Sequence, residues 1–167
     1  MKHTAEADRR YVGMGEVKTG KRCELLQATL GSCIGIGLVW KKGGRCGLAH
    51  CLLPEAPEPR IRVGARYVSQ AVPSLLLLMG LQPSDYADLE VIIAGGARMF
   101  RSRPSVAHVG ELNVQAVRKY LALHGLTVSH EDVGGRRGRQ MMIDCSRHAF
   151  VIKEIAHQPE ELHDECT

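Results

Sequence analysis

The stretch CIGIGLVWKKGGRCGLAHCLL, residues 33–53, decides the fold of this chain. It consists of two apolar runs, 33–40 and 46–53, separated by the glycine-bearing segment 41–44. Apolar runs of this length around a short glycine loop are typical of two buried strands joined as a β-hairpin. The proline-rich residues 54–59 then end the second strand and form a loop.

The length of the hairpin loop sets which residues of the two strands face each other. If segment 41–44 is a four-residue loop, Gly35 lies opposite His50. Because side chains alternate between faces, Cys33 and His50 then share a face as diagonal neighbours, about 7–8 Å apart at the backbone. A turn centred on the two glycines would instead set His50 opposite Gly37 and leave the pair on the order of 13 Å apart.

A cysteine and a histidine at this separation suit the hydrolysis of an amide. Such a reaction needs a nucleophile, a base that activates it, and donors for the oxyanion. Cys33 and His50 supply the first two. Gly31 and Ser32 add little bulk before the thiol, so their backbone N–H groups can approach a reacting carbonyl oxygen. The sequence therefore indicates a cysteine hydrolase.

The glycines that follow Cys33 bear on how accessible the thiol is. Gly35 and Gly37 lie on the same face of the strand as Cys33 and carry no side chain to fill a core. The pattern therefore predicts an open face where a substrate could bind. A cysteine near the start of an apolar strand is also often an inert core residue, and the residues alone leave both interpretations open.

A zinc site is the alternative use of the same residue types. Strand alternation argues against it, because Cys51 would face away from Cys46 and His50, and no C-x-x-C pair is present. We therefore expect no metal. The ligand set that such a site would need is Cys46, His50, Cys51, Cys145 and His148.

The rest of the chain mixes helices and strands. Apolar residues recur at helical spacing over 65–79, ended by Gly80, and over 113–124. Strands are predicted at 89–94, 126–131, 140–145 and 148–155. Since there is no regular βαβ alternation, we expect an α+β fold, a mixed sheet or β-sandwich with helices on one face. We expect one domain over 1–167, with a core of about 12–155 and frayed termini.

Composition narrows the class of protein. The net charge is +4, and the arginines at 136, 137 and 139 have no stacking aromatic side chains beside them, so nucleic-acid binding is not expected. The longest apolar stretch, 71–81, is too short to insert into a membrane, and residues 1–10 lack the apolar core of a signal peptide. We therefore expect a cytoplasmic protein whose six cysteines are thiols.

Several short motifs, taken together and in order, resemble the chemoreceptor glutamine deamidase family, CheD. The resemblance covers roughly 12–151 and begins with LGSC at 30–33 and GLAH at 47–50. Further matching residues are Leu53-Pro54, Ala94-Gly-Gly-Ala97, Met99-Phe100, Gly110-Glu111, Asn113-Val114, Asp132-Val-Gly-Gly135 and Gly138-Arg139.

The resemblance implies a layered α/β/β sandwich and an enzyme that converts glutamine side chains of methyl-accepting chemotaxis receptors to glutamate, releasing ammonia. In that mechanism His50 takes the proton of Cys33, the thiolate attacks the carboxamide, and water later releases the thioester. The resemblance implies no cofactor. It also implies a second partner, a CheC-like phosphatase.

The third member of the triad departs from the family pattern. The family uses an upstream threonine, whereas an ungapped count back from Cys33 reaches Gln27, and the nearest threonine is Thr29. Either side chain could orient His50. If neither does, the alternative is a non-enzymatic chemotaxis adaptor that binds a CheC-like phosphatase or the receptor tail.

Overall fold

The computed structural model describes residues 7–58, 62–99 and 109–156. Nine strands and two α-helices lie in these ranges, together with a 3₁₀ helix, Pro83–Asp88. The strands are β1 (Asp8–Tyr11), β2 (Val17–Lys21), β3 (Glu24–Leu30), β4 (Ile34–Trp40), β5 (Arg45–Cys51), β6 (Leu89–Gly95), β7 (His130–Val133), β8 (Arg139–Asp144) and β9 (Ala149–Glu154). The helices are α1 (Val68–Leu78) and α2 (Val109–Leu123).

The strands form two sheets. The four-stranded sheet has the order β1-β3-β8-β9, and the five-stranded sheet has the order β2-β5-β4-β6-β7. The pairs β1–β3 and β6–β7 are parallel, and the other pairs are antiparallel. The expected α+β class with mixed β-sheets is therefore confirmed.

Two apolar cores divide the molecule into three layers. One core joins the two sheets and contains Leu26, Leu48, Ile92 and Met141. The other joins the five-stranded sheet to the helices and includes Leu75. The five-stranded sheet is thus covered on both faces, which explains why β4 and β5 are apolar almost without alternation. None of the helices in the described ranges is long and apolar enough to cross a membrane.

The central hairpin has the register that the four-residue loop predicts. Trp40 pairs with Arg45, and Gly35 lies opposite His50. The competing register, with His50 opposite Gly37, is therefore excluded. This pairing sets the relative positions of the two residues that the sequence analysis selected for catalysis.

The prediction of an open face beside Cys33 is wrong. A Cβ atom on Gly35 would lie 2.7 Å from Leu30 Cδ1, and one on Gly37 would lie 2.6 Å from Ile143 Cδ1. The four-stranded sheet fills the space above both glycines. Their missing side chains allow the two sheets to approach each other, and they do not form a binding surface.

The bounds of three other elements differ from the expected ones. Helix α2 begins at Val109, four residues before the predicted start, and β7 begins at His130 because Leu126 is buried among the helices. Helix α1 begins at Val68, three residues after the predicted start, and it contains Pro73 in its interior. It ends before Gly80, whose φ of 65° gives the left-handed backbone conformation that closes the helix.

The Gly37→Ala variant tests the close approach of the sheets. The new Cβ would lie 2.6 Å from Ile143 Cδ1, so the second sheet must shift. We expect the free energy of unfolding, measured by urea denaturation, to fall by about 1–3 kcal/mol. Ile143→Val removes that Cδ1 atom, so adding it to Gly37→Ala should recover part of the loss. Strictly additive losses would contradict the proposed contact.

Candidate active site

Cys33 lies in the three-residue segment that joins the two sheets, directly before β4. Its side chain is partly buried at the edge of the inter-sheet core. Two backbone hydrogen bonds hold this segment. The Gly96 N–H donates to the Cys33 carbonyl at 2.8 Å, and the Ala97 N–H donates to the Gly31 carbonyl at 3.0 Å. The position of the thiol is therefore set by the chain that follows β6.

Gly95 is essential to that docking. Its φ is 103°, and a Cβ atom there would lie 2.1 Å from the Cys33 carbonyl oxygen. Gly110, at the start of α2, also lacks room, because its Cβ would lie 2.5 Å from the Ala97 carbonyl oxygen. These contacts explain two glycines of the motifs at 94–97 and 110–111, since only glycine permits such close approach.

His50 lies on β5 and is buried, with 4% of its surface exposed. It is on the face of the five-stranded sheet that looks toward the other sheet, diagonal to Cys33 across the hairpin. Its Nδ1 is 3.0 Å from the carbonyl oxygen of Val12. Because a carbonyl only accepts, Nδ1 must carry the proton and donate it. Nε2 is then the basic nitrogen of the ring.

The basic nitrogen has no partner in the described part of the chain. Nε2 of His50 is buried and makes no hydrogen bond there. A buried acceptor without a donor is unfavourable. The ring is therefore held in the tautomer that can accept a proton, and the nitrogen that accepts it is free.

The segment between β1 and β2 clamps His50 from one side. The N–H of His50 donates to the Glu16 carbonyl at 2.9 Å, and its carbonyl accepts from the Gly15 N–H at 2.8 Å. Val12 is fixed in turn by Gln27, because the Val12 N–H donates to the Gln27 carbonyl at 2.7 Å. The ring is thus oriented through a chain of main-chain hydrogen bonds, which can reinforce one another.

The structure does not bring the side chains of Thr29 or Gln27 to His50. Their neighbours on β3, Ala28 and Leu30, point into the inter-sheet core, so both side chains are on the outer face of the four-stranded sheet. Thr29 is exposed, and the Gln27 Oε1 has no hydrogen-bond partner among the described residues. Gln27 reaches the site only through its main chain.

Asn113 is a site residue to which the sequence analysis gave no role. It is fully buried near the start of α2, and its Nδ2 donates to the Ser32 carbonyl at 3.0 Å and to the Leu52 carbonyl at 2.9 Å. One amide thus ties the segment before Cys33 to the chain two residues after His50. The residue appeared in sequence only as part of a motif.

The electrostatics of the site keep the thiol neutral. Burial raises the pKa of Cys33 above its ordinary value, and the residue's own backbone N–H opposes this only in part. The Gly13 N–H and Lys18 lower the pKa of Glu16, with a smaller contribution from His50. Glu16 is therefore an ionised carboxylate on the segment whose main chain holds His50.

Backbone donors for an oxyanion are present beside the thiol. The N–H groups of Gly31 and Ser32 have no acceptor among the described residues. The two residues are partly exposed, and their free N–H groups can stabilise negative charge on a carbonyl oxygen. The segment therefore provides the third requirement of amide hydrolysis.

The cysteines considered for zinc lie in two different cores. Cys51 lies in the core on the helix side, whereas Cys46 and Cys145 lie between the sheets. Among the described residues no three His, Cys, Asp or Glu side chains come together in a way that could hold a metal ion. The five cysteines within those ranges are free thiols.

Comparison with known proteins identifies related chains. Residues 52–154 match a family described as CheD chemotactic sensory transduction. A probable chemoreceptor glutamine deamidase CheD of Bdellovibrio bacteriovorus is 37% identical over 135 residues, 80% of this chain and 86% of the relative. A probable chemoreceptor glutamine deamidase CheD 2 of Ruegeria is 33% identical over 169 residues, 90% of this chain and 94% of the relative.

The relatives include archaeal proteins. A probable chemoreceptor glutamine deamidase CheD of Methanococcus vannielii is 35% identical over 144 residues, which are 86% of this chain and 93% of the relative. Each of these alignments covers four fifths or more of both chains.

An Asn113→Ala variant tests the tie between the two catalytic segments. The change removes a buried amide and leaves the partly buried carbonyls of Ser32 and Leu52 without this donor, so we expect a loss of about 2–4 kcal/mol in the free energy of unfolding, measured with urea. Gln115→Ala, an exposed change on the same helix, is the control and should cost less than about 0.5 kcal/mol. Equal losses of stability in the two variants would show that the hydrogen bonds of Asn113 do not stabilise the fold.

The raised pKa of Cys33 predicts how the free thiol reacts with pH. Below that pKa the thiolate fraction rises about tenfold per pH unit, so the rate at which iodoacetamide alkylates Cys33 should also rise about tenfold per pH unit. No plateau should occur below about pH 8.5, the ordinary thiol value. Mass spectrometry of the peptide that contains Cys33 measures this rate. A plateau near neutral pH would show a preformed thiolate and contradict the prediction.

Proposed function

Because this chain belongs to the CheD family, we propose that it converts glutamine side chains of chemoreceptors to glutamate, with Cys33 as the nucleophile and His50 as its base. The observation that carries the proposal is the state of His50. Its Nδ1 proton is held by the Val12 carbonyl, and its Nε2 is buried without a partner on the side of the sheet that Cys33 shares.

The first half of the reaction forms a thioester. Nε2 of His50 takes the proton of Cys33 as Sγ attacks the carboxamide carbon of the glutamine. The negative charge on the carbonyl oxygen is stabilised by the N–H groups of Gly31 and Ser32. His50 then gives its proton to the nitrogen, the C–N bond breaks, and ammonia leaves.

The second half of the reaction releases glutamate. His50 takes a proton from water, and the hydroxide adds to the thioester carbon. The C–S bond then breaks, and the proton passes from Nε2 back to Sγ, so the thiol is restored. No metal ion or organic cofactor takes part in this mechanism.

A reducing compartment suits this chemistry, and we place the enzyme in the cytoplasm. The nucleophile must remain a thiol, and the cysteines of the described ranges are unpaired. We assign the activity to one domain, residues 12–155 in outline, because a single sandwich provides Cys33 from the segment before β4 and His50 from β5. The family resemblance supports a CheC-like phosphatase as a second partner.

Replacement of Cys33 or His50 tests the proposed function. Mass spectrometry of a chemoreceptor cytoplasmic fragment should show conversion of glutamine to glutamate with the wild-type protein and none with Cys33→Ala. His50→Asn should lower kcat by about 10²- to 10⁴-fold, the usual contribution of a general base. Cys23→Ala, which changes an exposed cysteine, is the matched control and should retain full activity.

Two outcomes would contradict the assignment. Undiminished conversion by Cys33→Ala would place the nucleophile elsewhere. No conversion by the wild-type protein, across several receptors, would favour the non-enzymatic adaptor, which would still bind receptor or a CheC-like phosphatase.

A further inference from the structure

We propose that a cleft beside the nucleophile binds a carboxylate side chain of the substrate, one helical turn or two extended residues away from the target glutamine. This inference rests on the proposed function, because it assigns a second contact to the same substrate. The cleft, called the arginine cleft below, has a volume of about 320 Å³. The lining residues that matter are Leu30, Gly31, Met99, Arg136, Arg137 and Ile155.

The arginine cleft begins at the segment that carries the thiol. Gly31 lines it and lies two residues before Cys33, a separation of at most about 7 Å along the chain. The side chain of Met99 closes over Gly31, since its Cγ is 3.3 Å from the place where a Cβ would be. In a helical substrate, side chains one turn apart lie about 5–6 Å from each other. A segment that presents glutamine to Cys33 therefore brings a neighbouring side chain to the cleft.

The charge of the cleft is positive. Arg136 and Arg137 are both exposed, and none of its described lining residues is acidic. Arg137 contacts Glu154 at 3.4 Å, but both side chains are more than half exposed, so this ion pair is weak and exchangeable. Arg136 has no ion-pair partner in the described ranges. Two guanidinium groups are thus available to a ligand.

Arg139, which follows these two arginines in the chain, has a structural role. Arg139 is buried and donates to the carbonyls of Gly134 and Arg137, and it pairs with Asp132 at 3.3 Å. It fixes the turn from which Arg136 and Arg137 project. The two exposed arginines therefore stand on a rigid turn, which favours directional recognition over diffuse attraction.

The floor of the cleft selects the class of ligand. The side chains of Met99 and Ile155, which are 47% and 41% exposed, make it apolar. A glutamate side chain fits this combination, because its methylene groups can pack on the floor while its carboxylate meets the guanidinium groups. An inorganic phosphate has no methylene groups that could pack on the apolar floor. The partner chemistry is thus an acidic protein segment around the target glutamine.

Matched receptor segments test the inference. Three versions of one segment carry the same target glutamine and have glutamate, alanine or lysine one turn away. With wild-type protein, kcat/KM for the glutamate version should exceed that for the alanine version by about tenfold, as one charge-assisted contact predicts. The double variant Arg136→Glu/Arg137→Glu should invert the order and prefer the lysine version.

A control separates the cleft from the overall field of the protein. Lys21→Glu/Arg22→Glu makes the same change in net charge at the other end of the sandwich, where β2 ends, and both residues are exposed. This variant should keep the wild-type preference for glutamate. If it loses that preference as fully as the Arg136/Arg137 variant does, general attraction explains the effect and the cleft assignment is overturned.

The outcomes also separate this inference from the proposed function. Equal kcat/KM of the wild-type protein for all three versions would overturn the arginine cleft and leave the deamidase intact. No conversion of any version would instead refute the deamidase itself. An unchanged preference in the Arg136→Glu/Arg137→Glu variant would place the recognition of acidic neighbours elsewhere on the protein.

Discussion

The register of the hairpin formed by β4 and β5 is the constraint on which the site depends. It sets Gly35 opposite His50 and therefore places the imidazole one diagonal step from the thiol. A shift of one residue would turn His50 to the helix side of the sheet, and a shift of two would move it beyond the reach of Cys33. The five-stranded sheet is buried on both faces, so any shift would also expose apolar side chains or bury polar ones. The core thus enforces the register that keeps Cys33 and His50 on one face.

Around this hairpin, main-chain groups position the site almost entirely. Carbonyls and N–H groups of residues 12–16 hold His50, and those of residues 95–97 hold the segment of Cys33. The main exception is Asn113, whose amide joins the two halves. Such an arrangement requires close approach of backbones, which accounts for the density of glycine around the site. It also makes the geometry rigid before any substrate binds, as efficient catalysis requires.

Local patterns predicted the hairpin, because apolar runs around a short glycine loop define it without reference to distant residues. They left two registers open, and the structure selects the one that sets Gly35 opposite His50. The space beside Gly35 and Gly37 was predicted wrongly, because it is filled by Leu30, Met141 and Ile143, and alternation within one strand says nothing about what packs on it. The early start of α2 and the short β7 depend on packing in the same way. Val12 had no signal in the sequence, since a main-chain carbonyl leaves no trace in residue type, and Asn113 appeared only as part of a motif that did not reveal its partners. The resemblance to a known family identified the chemistry, whereas the contacts that orient it required the fold.

The orientation of His50 by the Val12 carbonyl has an evolutionary consequence. In a triad completed by a side chain, one point mutation at the third position removes the orienting group. Here every residue type at position 12 would bring the same carbonyl, so that function is insulated from mutation as long as the backbone keeps its path. Under the proposed mechanism, the side chain at position 27 is released from selection for catalysis and can drift. A lineage with this arrangement could therefore lose the familiar threonine and retain its enzyme, and absence of that threonine is a poor guide to loss of activity.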